Sequence, residues 1–370
     1  MRLAVYNVEN LFNRAKVMNH TDWAEGRETL KQFADLNVLL GERTYTGAMK
    51  TKMVALMKTL GLEKKDQGPN VILRRNRGAL VRRPQGGGIE IIASGRGAWV
   101  GSLELIPEPI DHESMLITAR VIRDVNADIL GVVEAESRPA LKQFSDEIVS
   151  AVGGNPYENL MLIDGNDDRG IDVGIGYRNS VELDFMRSHV TDKRDDGNSV
   201  FSRDCPEYHF TFPSGKRLLV MVNHFKSKGF GSQASSNAKR KAQAQRVREI
   251  YDDRLADGID HIAIIGDLND TPDSDQLKPL HTGTSMKDIF THPSFDNGGF
   301  PGTFGLCNAA NKIDYMLLSP KLFQRVNAAG VFRKGMWPGV QPPRWEVYDE
   351  LEQQINSGSD HACLFMDFNL

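Results

Sequence analysis

The sequence predicts an α+β fold in which two packed mixed sheets carry helices on their outer sides. Short apolar runs typical of buried strands recur along the 370 residues. Segments with the three- and four-residue apolar spacing of helices alternate with them, and hairpin-like strand pairs also occur. This mixture is typical of two sheets with helices outside. We expect a single domain over residues 1–370.

The predicted elements follow in chain order. Residues 2–9 are predicted as the first strand. Residues 22–40 and 47–60 are predicted as helices, because their leucines and methionines recur on one face. Further helices are expected at 114–126, 138–152, 238–256 and 275–280. Further strands are expected at 128–136, 159–163, 171–178, 181–190, 207–212, 216–225, 262–267, 312–319 and 362–367. Residues 282–311 are expected to be rich in loops.

The composition is that of an ordinary soluble globular protein, with 40% hydrophobic and 25% charged residues. Cys205, Cys307 and Cys363 are far apart, so they indicate neither a disulfide framework nor a zinc site. The chain starts directly on a strand without a leader pattern, and no apolar stretch approaches about 20 residues. We therefore expect a cytoplasmic protein with no membrane partner and no obligate protein partner.

Polar side chains stand at the ends of six predicted strands. In the clearest case, four apolar residues, 262–265, run into Gly266, Asp267 and Asn269, and the last two have the spacing of one strand face. Taken alone, this is also the pattern of a strand followed by an Asp/Asn turn. Because burying unpaired polar groups is costly, the repetition favours a shared functional site. The other strand ends carry Asn7, Glu9, Glu134, Asn223, His224, Lys226, Asp314, Asp360 and His361.

This set, in this order, resembles the endonuclease/exonuclease/phosphatase superfamily of deoxyribonuclease I-like and exonuclease III-like phosphoesterases. The matching motifs are YNVEN (6–10), GVVEAE (131–136), RGIDVGI (169–175), NHFKSK (223–228), GDLND (266–270), KIDYMLLS (312–319) and SDHA (359–362). The resemblance covers nearly the whole chain. It implies a four-layer α/β/β/α sandwich, with the site at one edge where strand ends of both sheets converge.

The resemblance also implies a metal site for Mg²⁺ or Mn²⁺, hard cations that prefer oxygen ligands. Glu134 would be a metal ligand, with Glu9 and Asn7 beside it, and Asp360 would be a ligand of the metal or the leaving group. Family members often carry Asp where Glu9 stands, so the longer side chain is a departure from the pattern.

The remaining roles concern water and phosphate. Asp267 would orient or deprotonate the attacking water, and Asn269 would hold a phosphate oxygen. Asp314 and His361 would form a carboxylate–imidazole pair that meets the phosphate. His224 would donate to the phosphate or to the leaving oxygen. Substrate or phosphate contacts are implied for Arg169, Asp172, Asn223 and Lys226.

Residues 61–113 are predicted as an arginine-rich insertion, because the superfamily pattern passes directly from the first helix toward the Glu134 strand. Glycines at 78 and 86–88 separate strand-like pieces, which favours a β-ribbon. The basic side chains form either a solvated face or a contact to a phosphate backbone, with Trp99 stacking on a base. The arginines concerned are Arg74, Arg75, Arg77, Arg82 and Arg83.

Three functions compete. The first is a metal-dependent nuclease that hydrolyses DNA or RNA, supported by the motifs, the insertion and the basic helix 238–256. The second is a phosphatase or phospholipase C-type hydrolase of an inositol phosphate or phospholipid. A lipid-acting enzyme would expose an apolar loop, for which Trp337 and Trp345 are candidates. The third is a non-catalytic nucleic-acid-binding protein, which the intact Glu134, Asp267 and His361 disfavour.

Overall fold

The structure is a computed structural model that describes residues 1–11, 17, 23–106, 112–167, 170–228, 232–340 and 343–370. It divides into two compact units, one formed by Met1–Phe12 with Ile110–Leu370 and the other by Asn13–Pro109. Most of the predicted insertion, 61–113, falls in the second unit, together with the two preceding helices. One domain with an insertion remains a prediction.

The elements are numbered in chain order. The strands are β1 Arg2–Leu11, β2 Val71–Gly78, β3 Val81–Arg82, β4 Glu90–Ile91, β5 Trp99–Leu105, β6 Ile129–Ala135, β7 Asn159–Leu162, β8 Asp172–Tyr177, β9 Glu182–Arg187, β10 Glu207–Thr211, β11 Arg217–His224, β12 Ile262–Asp267, β13 Lys287–Asp288, β14 Phe295–Asp296, β15 Asp314–Leu318, β16 Val326–Phe332 and β17 Cys363–Phe368. The α-helices are α1 Trp23–Gly41, α2 Gly47–Thr59, α3 His112–Val125, α4 Arg138–Gln143, α5 Gln233–Ala256, α6 Lys278–His281 and α7 Pro320–Phe323.

Two mixed sheets form the centre of the first unit. One has seven strands in the order β14-β16-β17-β1-β6-β8-β7, and the other has six in the order β13-β15-β12-β11-β10-β9. Parallel pairing of β1 with β6 and of β11 with β12 brings the carboxyl ends of these strands to one edge of each sheet. Antiparallel β17 and β15 bring their starts to the same edges.

Alternation of side chains along the strands builds the layers. Residues on one face of each strand, such as Val5 in β1 and Ile265 in β12, share a single buried cluster between the two sheets. Residues on the opposite face of β1 pack with α3, as Ala4 does with Ile117 and Val121. Residues on the opposite face of β12 pack with α5 residues in a third cluster. The predicted α/β/β/α sandwich is therefore confirmed.

The second unit has its own hydrophobic core. Helices α1 and α2 pack against the antiparallel pair β2–β5 and the short pair β3–β4 through Leu36, Met53, Met57 and Leu73, among others. Trp99 belongs to this core and donates its Nε1–H to the hydroxyl of Tyr45 at 2.9 Å. Because the Trp99 side chain is buried, the expectation that it stacks on a base is wrong.

Several elements differ from the sequence predictions. The predicted helix 138–152 is α-helical only over Arg138–Gln143 and continues as a π-helix over Phe144–Val149. The loop-rich region contains β13 and β14, which extend one edge of each sheet. The sequence does not predict β16, because its Asn, Ala and Gly residues have low strand propensity and pairing with β17 decides the conformation. No helix of the described residues is both long and apolar enough to cross a bilayer.

Candidate active site

Polar residues from six strand ends converge at one edge of the sandwich. His224 is the register partner of Asp267, and Asp267 is the partner of Asp314 in the second sheet. In the first sheet Asn7 pairs with Val133, next to Glu134, and β17 begins two residues after His361. The edge thus brings together Asn7, Glu9, Glu134, His224, Asp267, Asn269, Asp314, Asp360 and His361, and their functional roles remain predictions.

Asp267, Asp314 and His361 form a buried group that we call the relay. Their ligand atoms lie within 4.8 Å of one another. His361 Nδ1 lies 2.9 and 3.2 Å from the two carboxylate oxygens of Asp314. If Nδ1–H donates to this carboxylate, the ring turns Nε2 toward Asp267 Oδ2, 4.0 Å away. The relay can therefore present a charged imidazolium beside a second carboxylate.

The charge states within the relay follow from burial and from each other. Burial lowers the pKa of His361, but the carboxylates of Asp314, Asp360 and Asp267 outweigh it and hold the pKa well above its usual range. Burial raises the pKa of Asp267 to about 8, against the lowering effect of His361. Asn269 holds this carboxylate, since its backbone N–H and its Nδ2 donate to the two oxygens at 2.8 and 3.0 Å.

Glu9, Glu134 and Asp360 form the second half of the edge, which we call the carboxylate cluster. Glu9 Oε2 accepts the backbone N–H of Asp360 at 2.7 Å, and Asn7 Nδ2 donates to Glu134 Oε1 at 3.3 Å. Burial, followed by repulsion from Asp360 and Glu134, raises the pKa of Glu9 to about 7. Carboxylates that repel each other at a partly buried position suit a divalent cation, so these residues fit a hard metal ion.

His224 lies between the two halves. Its Nε2 is 3.6 Å from Glu134 Oε1 and 3.6 Å from Asp267 Oδ2, and its side chain is buried. A single imidazole therefore contacts both the carboxylate cluster and the relay. His361 makes a second link, since its Nε2 lies 3.6 Å from Asp360 Oδ1.

The backbone at the edge departs from regular strand geometry. Glu9, Glu134 and Asn269 have φ values of 32°, 67° and 55°. The first two coincide with register shifts in the pairing of β1 with β6 and of β6 with β8. Such conformations cost roughly 1–3 kcal/mol each outside glycine and cluster at functional sites. Gly266 is required for packing, because a Cβ there would lie 1.9 Å from the Asn223 carbonyl oxygen.

Two hydroxyl side chains that the sequence reasoning did not assign hold the edge together. Ser359 Oγ donates to the Asn7 carbonyl at 2.7 Å and accepts the His361 N–H at 2.9 Å. Thr303 Oγ1 accepts the N–H groups of Ile313 and Asp314 at 3.2 and 3.1 Å. The SDHA motif contains Ser359 and could have indicated its role. No sequence pattern near Thr303 could have indicated its role, because its partners lie ten or more residues away.

The structure describes three of the four other residues that were predicted to contact the substrate. Asp172 starts β8 opposite Ala135, accepts the Gly165 N–H at 2.7 Å, and has its pKa raised to about 7 by burial. Asn223 is fully buried, and its Nδ2 donates to the Met221 carbonyl at 3.4 Å. The Lys226 backbone N–H donates to Gln243 Oε1 at 2.9 Å. Arg169 lies outside the described residues.

The five arginines predicted to contact phosphate belong to the second unit. Arg74 pairs with Glu104 at 2.6 Å and Arg82 Nε bonds Glu90 at 3.0 Å. Arg75 Nε and Arg83 both reach Asp66, at 2.9 and 2.8 Å. Arg77 is exposed and forms no ion pair with the residues that the structure describes. Their contact with phosphate remains a prediction.

A family model described as "Endonuclease/Exonuclease/phosphatase family" matches residues 110–325, more than half of the chain. A search of curated protein sequences finds no match.

Solved structures resemble the fold at low sequence identity. A mannosyl-6-phosphatase of Bacteroides thetaiotaomicron is 17% identical with a TM-score of 0.51, covering 70% of this chain and 91% of its own. An endonuclease/exonuclease/phosphatase family protein of the same organism is 18% identical with a TM-score of 0.50, at 70% and 90% coverage. The human Nocturnin catalytic domain with bound sulfate is 15% identical with a TM-score of 0.50, at 71% and 88% coverage. At these identities the likeness establishes the fold alone.

Proposed function

Since the chain belongs to the endonuclease/exonuclease/phosphatase family, whose members hydrolyse phosphoester bonds, we propose that it is a metal-dependent nuclease that cleaves phosphodiester bonds, with DNA as the first candidate substrate and RNA as the second. The observation that carries the proposal is the convergence at one edge of the relay, His224 and the carboxylate cluster. This arrangement combines a proton acceptor, two imidazoles and oxygen ligands around one space.

The relay acts on water and phosphate. Asp267, held by the two donors of Asn269, orients the attacking water and accepts its proton. His361, kept charged by Asp314, faces the phosphate and stabilises its developing negative charge. His224 donates a hydrogen bond to a phosphate oxygen or a proton to the leaving oxygen.

The metal site is assigned to Glu134, Glu9 and Asp360, with Asn7 beside them. A bound Mg²⁺ or Mn²⁺ supplies positive charge against the phosphate oxygens. The relay is itself a group of three possible metal ligands. We assign it to acid–base chemistry instead, because a cation there would compete with the proton that His361 shares with Asp314.

The proposal of a nucleic-acid substrate is supported by positive charge in the second unit. Arg77 extends from β2 into solvent, and the paired neighbours Arg74 and Arg82 are also exposed. Exposed arginines of this kind suit contacts with a phosphate backbone. The basic helix α5 supports this less, because Arg240, Arg246 and Arg254 are already paired with carboxylates.

A phosphatase acting on a small phosphomonoester is the second candidate. It is favoured by the neutralised cations near the edge, where Lys228 and Arg240 both pair with Asp270 and Arg203 pairs with Asp167. A long polyanion gains little from such pairs. A lipid substrate is not favoured by the candidate tryptophans, because Trp345 donates to the Met336 carbonyl and packs on Phe300, and Trp337 packs in the outer core of the first sheet.

The first test is a substrate panel. Supercoiled plasmid, single-stranded DNA, RNA and phosphomonoesters are incubated with Mg²⁺, with Mn²⁺ and with EDTA, using the wild-type chain and Glu134→Gln. We expect metal-dependent cleavage of DNA that is lost in EDTA and strongly reduced in the variant. Cleavage of phosphomonoesters alone would replace the nuclease proposal with the phosphatase. A folded protein that hydrolyses nothing in the panel would refute both.

A further inference from the structure

Two neighbouring strand ends of the six-stranded sheet carry reacting groups of the proposed active site. β11 ends at His224, and β12 ends at Asp267, which Asn269 follows by two residues. Phe225 joins the two ends, because its N–H donates to the Asp267 carbonyl at 2.9 Å and its carbonyl accepts Asn269 Nδ2 at 3.2 Å. The geometry of the site therefore depends on how the segment after β11 is held against the segment after β12.

Two side chains of helix α5 hold the backbone of the segment after β11. Gln243 Oε1 accepts the N–H of Lys226 at 2.9 Å, and Arg240 Nη1 donates to the carbonyl of the same residue at 2.9 Å. Arg240 and Gln243 are three residues apart, so they project from one face of the helix. Helix α5 thus fixes the backbone N–H and carbonyl of a residue that lies two positions after His224.

Arg240 also reaches the segment after β12. Its Nε lies 3.0 Å from Oδ2 of Asp270, the residue that directly follows Asn269. The other carboxylate oxygen of Asp270 lies 2.8 Å from Lys228 Nζ, so the segment after β11 is tied to the same carboxylate. One guanidinium therefore joins both segments to helix α5. We call Arg240, Gln243 and Asp270 the clamp.

The clamp is buried and is anchored to a packed helix. Arg240 and Gln243 are fully buried, and Asp270 is 5% exposed. Further along α5, Val247 and Ile250 pack in the hydrophobic cluster that includes residues of β11 and β12. Reacting groups are held precisely when their supports are locked by packing on rigid elements. Helix α5 is such an element for both segments.

Stability alone explains the clamp poorly. Removing an ion pair from water offsets much of its attraction, so the buried pair of Arg240 and Asp270 is weak evidence for stabilisation. Gln243 Nε2 is buried and has no hydrogen-bond partner among the residues that the structure describes. An unmet donor in the core costs free energy, and an apolar side chain of similar size would avoid that cost. The polar side chains do provide a defined position for the backbone of Lys226.

We propose that Arg240 and Gln243 are positioning residues, which fix the segment after β11 against the segment after β12 and thereby place the His224 imidazole. This inference rests on the proposed phosphoester hydrolysis and adds two buried residues that act through His224. His224 Nε2 lies 3.6 Å from Glu134 Oε1 and 3.6 Å from Asp267 Oδ2, so a small movement of its segment changes both distances. A misplacement of about 1 Å can lower a rate by about 10²-fold.

The first experiment separates positioning from stability with three variants of the full chain. Gln243→Leu removes the acceptor of the Lys226 N–H at similar size. Arg240→Lys replaces the guanidinium fork, which reaches Asp270 and Lys226 together, by a single ammonium. Val247→Ala is the matched control, because Val247 is a fully buried residue of the same helix that packs in the hydrophobic cluster. Tm, kcat and KM are measured for each, the last two on the best substrate of the panel.

The expected results differ between the clamp variants and the control. In Gln243→Leu kcat should fall about 10-fold while Tm stays within about 2 °C of the wild-type value. In Arg240→Lys kcat should fall about 10²-fold. KM should change by less than about threefold in both, because the displaced group acts in the reaction more than in substrate binding. Val247→Ala should lower Tm more than Gln243→Leu does and should leave kcat within about twofold of wild type.

The second experiment tests whether the clamp acts through His224. His224→Asn removes the imidazole, so adding Arg240→Lys or Gln243→Leu to it should lower kcat by less than about threefold further. Each clamp residue is tested separately, so the result does not depend on the folding of one variant. Losses that multiply in full would show that the clamp supports a different group and would refute the inference.

Two further results would overturn the inference. One is an unchanged kcat in both clamp variants, and the other is an equal loss of kcat in Val247→Ala. Failure of the proposed function is separate, because a folded wild-type chain that hydrolyses nothing in the panel leaves the position of His224 measurable by NMR of its ¹⁵N-labelled ring. Ring signals that shift in the clamp variants and not in Val247→Ala keep the inference without the function. Ring signals that shift in neither clamp variant refute it.

Discussion

Two buried clusters of histidines and carboxylates lie in the same unit and have opposite electrostatic characters. At the active-site edge, Glu9 and Asp267 have pKa values raised to about 7 and about 8. Away from it, the Glu207 cluster joins Glu207 to His189, His209 and Arg254. Burial raises the pKa of Glu207, but hydrogen bonds from these three partners outweigh it and hold the pKa far below its usual range.

The difference separates a structural cluster from a functional one. In the Glu207 cluster, Arg254 makes two contacts of 2.6 and 3.0 Å to a fully buried carboxylate, so the charge is satisfied within the fold. At the edge, five carboxylates share two imidazoles, and two of the carboxylates belong to residues with positive φ. A cluster whose negative charge is left incompletely compensated suits the binding of a cation and the transfer of protons.

The largest expected effect is loss of the proton acceptor at the edge. Asp267→Asn keeps the shape and one of the two hydrogen bonds from Asn269 but cannot accept a proton, so we expect hydrolysis to fall by about 10³- to 10⁴-fold. Initial rates on the best substrate of the panel measure this. Asp257→Asn, at an exposed carboxylate, should retain full activity. A loss of less than tenfold in Asp267→Asn would remove Asp267 from the reaction.

The matching change in the Glu207 cluster should affect stability instead. Glu207→Gln leaves Arg254 without its buried partner, so we expect the free energy of unfolding to fall by about 3–5 kcal/mol. Activity per folded molecule should stay within twofold. Urea denaturation gives the stability, and Glu249→Gln at the exposed pair with Arg246 should cost less than about 1 kcal/mol. Similar losses of stability in Glu207→Gln and Glu249→Gln would contradict the structural role of the Glu207 cluster.

Asp314→Asn tests the support of His361. Without the carboxylate at 2.9 Å, the imidazole loses the partner that favours its charged form, so we expect a rate loss of about 10²-fold. The pH profile should also move, because the pKa of His361 should fall. A rate loss without any movement of the profile would indicate a purely structural role for Asp314. Protein NMR of the His361 ring measures the pKa directly.

The raised pKa values predict how pH and metal affect stability. Glu9 and Asp267 hold protons in the folded state that the unfolded chain releases, so stability without metal should fall as pH rises from about 4 to about 8. Mg²⁺ or Mn²⁺ at about 100 times its Kd should raise Tm by about 5 °C at pH 8 and by less at pH 5. Differential scanning fluorimetry measures both. Glu134→Gln should reduce the rise in Tm that the metal causes. An unchanged rise in Tm would show that the metal does not bind at the carboxylate cluster.

The smallest expected effect concerns the second unit. Arg77→Ala removes one exposed charge from β2, so we expect DNA binding to weaken about threefold. The slope of the logarithm of the binding constant against the logarithm of the salt concentration should decrease in magnitude by about one. Fluorescence anisotropy at several salt concentrations measures this. Lys31→Ala on α1 of the same unit removes an equal charge and is the control. Equal effects of the two changes would indicate general electrostatic attraction without a specific contact at β2.

Local sequence determined most of the strands and the residues at their ends. Apolar runs such as Ile262–Ile265 bury on both faces of a sheet, and the polar residues that follow cannot be buried without partners, so their position at an edge is readable from the chain alone. Motif resemblance then indicated the family. The short strand β14 and the strand β16, whose residues have low strand propensity, could not be predicted from the sequence, because pairing with distant strands stabilises them.

Only the tertiary structure decided how the charges at the edge compensate each other. His224 has no carboxylate nearer in sequence than Glu207, yet it links two carboxylate groups, whereas His189 lies three residues from Asp192 and satisfies Glu207. The same holds for the basic helix α5, whose arginines pair with Asp192, Glu207 and Asp270 from distant segments. The physical reason is that Coulomb interactions and burial depend on distances set by packing, and residues far apart in sequence supply both.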